Sequence, residues 1–306
     1  MIEILELRAD GQMFTDEEIQ ARIGAGPRQP AAGGGPVAVV PLYGVISPRM
    51  NMMSQISGGT SAEAFGKTFR AAITDPEISA VIMDVDSPGG SVFGIEELAK
   101  IVRDSRGRKP IVAVANTMMA SAAYWIAAQA DEIVASPSSQ VGSIGVMGVH
   151  QDVSEAEAKL GIRTTLVTAG KFKGDGNEHQ PLSDTARAAM QQMVDSYYTA
   201  FTQDVARGRA VSAAQVRDGM GEGRILGAKE AVKAGLVDGI GTLEQAIVRL
   251  ASGSKRVSMK AEQEPVEIAA AAPAAEPGAS HDPAEIEDFR RRLAAHAEGG
   301  PIHASR

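Results

Sequence analysis

The chain has 306 residues, 44% of them hydrophobic and 22% charged, a balance that suits a soluble globular protein with a sizeable core. Its formal net charge of -8 argues against a nucleic-acid binder, because a phosphate backbone calls for clustered Lys and Arg. It has no cysteine, which excludes disulfide frameworks and thiolate metal sites and fits a reducing compartment.

The amino-terminal "MIEILELRADGQMFTDEEIQ" carries acids early and lacks the basic-then-apolar pattern of a secretory signal. Thr15 and Glu18 form a capping box for a short helix, and "GAGPRQPAAGGGP" reads as a linker, so residues 1–35 are peripheral. "VAVVPLYGVI" predicts a buried strand between Pro36 and Pro48. A loop follows with Met50, Met52 and Met53 near Ile56, whose flexible thioethers suit a substrate groove, a subunit contact or plain loop packing equally. "SAEAFGKTFRAAI" predicts a helix, and "ISAVIMDVD" a strand running into "SPGGS", with a helix from Phe93 to about Val102.

From Ile111 to Ala130 no residue is charged, which is long enough for a membrane span. The β-branched "IVAVA" and the Asn-Thr pair are better read as a strand and a turn, leading into an Ala-rich buried helix. "EIVASP" and "VGSIGVMGV" predict further strands, followed by a helix near 153–160 and the strand "RTTLVTAG". Met190, Met193, Val194, Tyr197, Phe201 and Val205 fall at helical spacing and mark a long amphipathic helix. "ILGAKEAVKAGLVDGIG" adds a helix ending at Gly235 and a short strand, and a last helix spans 243–251. Alternation of strands and helices predicts an α/β domain over 36–253 with mostly parallel pairing. Residues 254–306 are rich in Ala, Pro and Glu. They are expected to be a disordered, solvated tail without a core of its own, in which "PAEIEDFRRRLAAHAE" is the candidate for an isolated helix.

Two stretches carry candidate chemistry. In "MDVDSPGGSVFG" a strand ends in Pro-Gly-Gly, and glycine amides unobstructed by side chains can stabilise an oxyanion. Ser121 begins the helix after "IVAVANT", where its own amide and that of Ala122 should lack helical partners and the helix dipole favours an anion. Each alone is equally a plain turn or a small polar filler. A serine hydroxyl also needs a base. His150 in "GVMGVHQDVS" is one candidate, and Lys171 or Lys173 in "LVTAGKFKGDGNEHQPLS" is another. A lysine acts as a base only when neutral, the form that burial in an apolar surrounding favours.

"DSPGGSVFG", "MMASAAYWIAAQADEIVASPSSQVGSIGVM" and "TAGKFKGDGNEHQPLS", in that order, resemble the signal peptide peptidase A family of serine peptidases, and more closely its phage head-maturation branch. The resemblance covers about residues 36 to 250. It implies a Clp protease/crotonase-like α/β fold of repeated ββα units and a Ser–Lys dyad. By position it makes Ser121 the nucleophile, Lys173 the general base, and the N–H groups of Gly90 and Ala122 the oxyanion donors, with Gly89 and Ser143 in support. Ala122 and Ala123 stand where a glycine often follows the serine, which keeps the amide and reduces backbone freedom. The resemblance also implies a peptide or protein substrate, no metal or organic cofactor, and a homo-oligomer.

With no membrane anchor legible at the amino terminus, the expected role is capsid maturation. Scaffold, portal or the chain's own tail would be cleaved in the host cytoplasm or procapsid, without a nucleic-acid partner. A cytoplasmic peptidase clearing peptide fragments is the second reading. A crotonase-like acyl-CoA enzyme, a Clp-type peptidase using Ser121, His150 and an acid, and a non-catalytic virion protein are the others.

Overall fold

A computed structural model describes residues 35–49 and 58–253; the N-terminal capping box, the Met50–Met53 cluster and the segment 254–306 lie outside the described residues. Strand β1 spans Val37–Ser47 and β2 Thr60–Ser61, followed by helix α1, Ala62–Thr74. Next come β3, Ala80–Gly90; α2, Ile95–Asp104; β4, Ile111–Ala120; and α3, Ala122–Ala127. Strands β5, Glu132–Ala135, and β6, Gln140–Gly142, precede α4, Ser154–Lys159, and the long α5, Asp184–Arg209. The remainder is α6, Ala213–Gly219; β7, Ile225–Gly227; α7, Ala228–Lys233; β8, Gly239–Ile240; and α8, Leu243–Ala251.

The strands form one sheet in the order β2-β1-β3-β4-β5-β8, every neighbour pair parallel. β6 pairs with the far end of β4, and β7 runs antiparallel to β6. The expected α/β fold with mostly parallel pairing is what the chain adopts. Parallel strands are buried on both faces and so read as continuous apolar runs. One face of the sheet, with Val81, Met83, Val85, Ala113 and Ala115, packs under Phe65 and Phe69 of α1 and Leu98 and Val102 of α2. The other, with Ile82, Val112 and Val114, is covered by Ala246 and Leu250 of α8. Thr242 begins α8 with a capping box completed by Gln245, which sets where that covering helix starts. Where the α8 cover ends, Asp84 of β3 accepts a hydrogen bond from the Tyr43 hydroxyl of β1.

Three expectations need correction. Asn116 and Thr117 are not a turn: β4 continues through them to Ala120. Of "VGSIGVMGV", only the first residues belong to a strand, and "RTTLVTAG" forms no strand. Both stretches are apolar enough to suggest strands, yet among the described residues neither pairs with the sheet beyond Gly142, and Met147 is 88% exposed and Val167 94%. The uncharged stretch 111–130 is strand and helix, and among the described residues no helix is long and apolar enough to cross a membrane.

Candidate active site

The sheet brings two strand ends together. β4 ends at Ala120 and the chain turns through Ser121 directly into α3. Ser121 has φ 53 and ψ −124, a conformation that L side chains rarely adopt and that costs about 1–3 kcal/mol. A serine on a strained strand-to-helix turn projects its hydroxyl away from both elements, the geometry of a nucleophile elbow. Its side chain makes no capping hydrogen bond to α3. The elbow is also held by its own backbone: Ser121 N–H donates to the Gly142 carbonyl at 2.9 Å, and Trp125 N–H donates to the Ser121 carbonyl at 3.0 Å. The Ser121 amide is therefore not free, contrary to expectation. β6 claims it, because Ala120 of β4 stands in register with Gly142. Ala122, the first residue of α3, has an N–H that the helical ladder leaves over.

α3 is only six residues long, and all six are buried. Such a helix cannot stand by its own propensity and depends on packing. The Tyr124 hydroxyl donates to the Leu236 carbonyl at 2.8 Å, and burial raises that phenol well above its ordinary pKa. On the opposite flank Trp125 stacks on Phe201 of α5 at 4.6 Å between ring centroids. The indole Nε1–H donates to Asp204 at 2.7 Å, and Asp204 also accepts from Arg103 and Arg207. Sequence reasoning missed this buried carboxylate, since Asp204 looks like one more polar residue on an amphipathic helix.

Pro88, Gly89 and Gly90, expected as a turn, are the last residues of β3, and this strand end presses on the elbow. A side chain on Gly89 (φ 100) would come within 2.7 Å of Ser121 Cβ and 2.9 Å of the Ala122 nitrogen. One on Gly90 would come within 2.0 Å of the Ile46 carbonyl oxygen on β1. Both glycines are thus required by close backbone approach, and the structure brings Gly89, Ser121 and Ala122 together. Ser143 follows β6, one residue past Gly142, which pairs with Ala120. It too has a positive φ, 54, and its N–H donates to the Arg224 carbonyl.

Lys173 is placed differently. It lies in a run of turns over 169–176, on an arm from Ile144 to Leu182 whose regular structure is limited to α4, and it is exposed. Among the described residues no hydrogen bond joins it to Ser121. The arm is ordered by its own polar contacts: His179 pairs with Glu157 at 2.8 Å, and Asn177 donates to the Gly174 carbonyl at 2.6 Å. His150 Nε2 lies 2.9 Å from the Asn177 carbonyl oxygen, so that ring is committed within the arm. Lys171 stands over the Phe172 ring at 4.9 Å.

The sequence profile of Peptidase family S49 matches residues 103–258, a segment that contains the elbow, β6, the arm and α5. The chain belongs to peptidase family S49. It is 33% identical over 202 residues to the capsid assembly protease C of Escherichia phage lambda, covering 66% of this chain and 46% of that one. It is 36% identical over 176 residues to the putative protease MJ0651 of Methanocaldococcus jannaschii, covering 58% of this chain and 56% of the relative. The chain thus spans about half the length of these curated relatives. Among solved structures, a point mutant of ClpP1 from Listeria monocytogenes aligns with a TM-score of 0.41 and 16% identity, over 68% of this chain and 94% of that one.

Proposed function

We propose that residues 36–253 form a serine endopeptidase domain that cleaves peptide bonds through a Ser121 acyl-enzyme. The observation that carries this reading is the strained Ser121 elbow lying against Gly89 at the end of β3. Maintaining that backbone costs stability, and the benefit is a hydroxyl presented beside unobstructed amides. In this reading Lys173 takes the Ser121 proton as the hydroxyl attacks the acyl carbon. The N–H groups of Gly90 and Ala122 hold the developing oxyanion, and the lysinium then protonates the departing amine. Water activated by the same amine releases the acyl group, and the Ser143 hydroxyl orients the lysine.

The exposure of Lys173 bears on how the dyad is completed. A lysine base needs a dry surrounding. The arm that bears it also exposes Met147, Val149, Leu160, Val167 and Phe172. An apolar surface of that extent calls for a partner. We therefore read the active form as a homo-oligomer in which these arms are covered by neighbouring copies and Lys173 is buried against a Ser121. The likeness to the lambda capsid assembly protease supports a role in processing capsid, scaffold or portal proteins inside a host cell.

A fluorophosphonate probe should label the wild type and not Ser121→Ala. Turnover of a peptide should vanish in Lys173→Met and persist in His150→Ala. Labelling of Ser121→Ala at the wild-type rate, or full turnover by Lys173→Met, would remove the basis of the proposal.

A further inference from the structure

Ser87 precedes the Pro-Gly-Gly end of β3 and is 0% exposed. Its hydroxyl donates to the Gly44 carbonyl at 2.6 Å and accepts from Gly89 N–H at 3.1 Å. These two backbone groups sit where the sheet ladder is irregular. The β1–β3 register shifts between Tyr43 and Val45, and the β3–β4 register shifts between Val85 and Ser87. Gly44 has φ 64, and a side chain there would meet the Gly58 carbonyl at 2.0 Å, so the bulge cannot relax by substitution. The Gly89 donor is buried and the Gly44 acceptor half-buried, and backbone groups withdrawn from water require a partner. A hydroxyl can donate and accept through one atom, which an alanine or a carboxylate in its place cannot.

We infer that Ser87 is a positioning residue for the oxyanion site, an inference that rests on the peptidase reading above. The peptide joining two glycines has little steric resistance to rotating about its neighbours, and Gly89 already holds φ 100. An N–H in that segment points at a substrate carbonyl only if the flanking peptides are fixed. Two tethers do this. Ser87 holds Gly89 N–H on one side of Gly90, and the Ile46 carbonyl accepts from Ser91 N–H at 2.9 Å on the other. Ser87 touches no substrate. It holds the Pro88–Gly89 peptide, the immediate neighbour of the peptide whose nitrogen belongs to Gly90, and it anchors that neighbour to β1 through Gly44. Removing one oxyanion donor lowers turnover by about 100- to 1,000-fold in enzymes of this chemistry, and disorienting one should approach the lower figure.

The experiment compares wild type with Ser87→Ala and with Ser87→Cys, which is somewhat larger and offers a weaker donor and acceptor. Rates are normalised to the fraction that reacts stoichiometrically with fluorophosphonate, so that loss of folded protein does not count. The expected result is kcat lowered by roughly 10- to 100-fold in Ser87→Ala and less in Ser87→Cys, with KM within about threefold of wild type. A peptide boronate, which forms a tetrahedral anion on Ser121, should lose affinity by the same factor. Binding of the uncleaved peptide to the Ser121→Ala background should be unaffected by the added Ser87 change. If Ser87→Ala does not fold, Ser87→Cys carries the same comparison. Normalised kcat and boronate affinity within twofold of wild type in the folded variant would overturn the inference. Wild type that neither labels at Ser121 nor turns over peptide would overturn the peptidase reading itself, and this inference with it.

Discussion

Replacing Asp204 with alanine tests how the nucleophile helix is held. The carboxylate is buried and receives the Trp125 indole N–H together with the guanidinium groups of Arg103 and Arg207. Truncation leaves the indole N–H without a partner at a residue only 1% exposed, which costs about 1–3 kcal/mol. The Arg207 side chain is 50% exposed and returns to water at little cost, whereas Arg103 at 25% loses part of its compensation, about 1 kcal/mol. The Gln129 amide bonds the Asp204 main-chain carbonyl, which the substitution keeps. The sum is about 3 kcal/mol, and in a domain of this size each kcal/mol lowers Tm by roughly 2–4 °C, so the expected drop is about 6–12 °C. Trp125 is the chain's one tryptophan, so thermal unfolding followed by its fluorescence reads the site directly. Asp204→Asn, which retains an acceptor for the indole, should lose about half as much. Because the Trp125 main-chain N–H also bonds the Ser121 carbonyl, labelling of Ser121 by fluorophosphonate should slow in step with the loss. A Tm within about 2 °C of wild type in Asp204→Ala would refute the account of this network.

Ser121→Gly should relieve the strained backbone and raise unfolding stability in urea by about 1 kcal/mol while abolishing turnover; an unchanged midpoint would mean that the elbow stores no strain. Gly89→Ala should lower stability by at least about 2 kcal/mol and suppress labelling of Ser121, since the added methyl meets Ser121 Cβ and the Ala122 nitrogen at a positive φ; normal labelling at normal stability would contradict that packing. Burial is the largest influence on the Asp84 carboxyl and raises its pKa; Asp86 and Glu244 add to the rise, while hydrogen bonds from Tyr43 and Asn116 oppose it. A folded-state pKa above the unfolded one contributes stability below the unfolded value, and that contribution is lost as pH rises through the folded value. Wild type should therefore weaken relative to Asp84→Asn as pH rises above the ordinary carboxylate range in urea unfolding, and a gap independent of pH would show that Asp84 does not titrate differently in the folded protein.

Much of this was legible in the sequence because parallel strands announce themselves. "ISAVIMDVD" and "IVAVA" are dominated by apolar residues and lie in strands buried in the sheet, whereas "VAVVPLYGVI", expected to be buried, forms β1 with Val40, Leu42 and Ile46 inside and Val39, Tyr43 and Val45 exposed. The close approach at Gly89 and Gly90 was not legible: both belong to β3 itself, and what they crowd, Ser121 and Ile46, lies in other segments. Nor was the elbow itself, because nothing in "MMASAAYW" distinguishes a serine at helical φ from one at φ 53; the difference lies in the pairing of Ala120 with Gly142, residues far apart in the chain. Asn116 and Thr117 misled because two exposed polar residues in mid-strand, where the β3–β4 register shifts, resemble a turn when the neighbouring strand is not known. "RTTLVTAG" misled for the converse reason: its pattern suits a sheet, but a strand also requires an edge to pair with. Ser87 and Asp204 gave no signal, since what each does depends on partners that only the tertiary fold supplies.

The reach of the arm between β6 and α5 has a consequence for when cutting can begin. On the proposed reading, a solitary copy carries its hydroxyl in one place and its amine in another, so dilution alone keeps it idle without an inhibitor or a propeptide. Onset of hydrolysis would then climb more steeply than linearly with the amount of chain present, confining cleavage to wherever copies are crowded together.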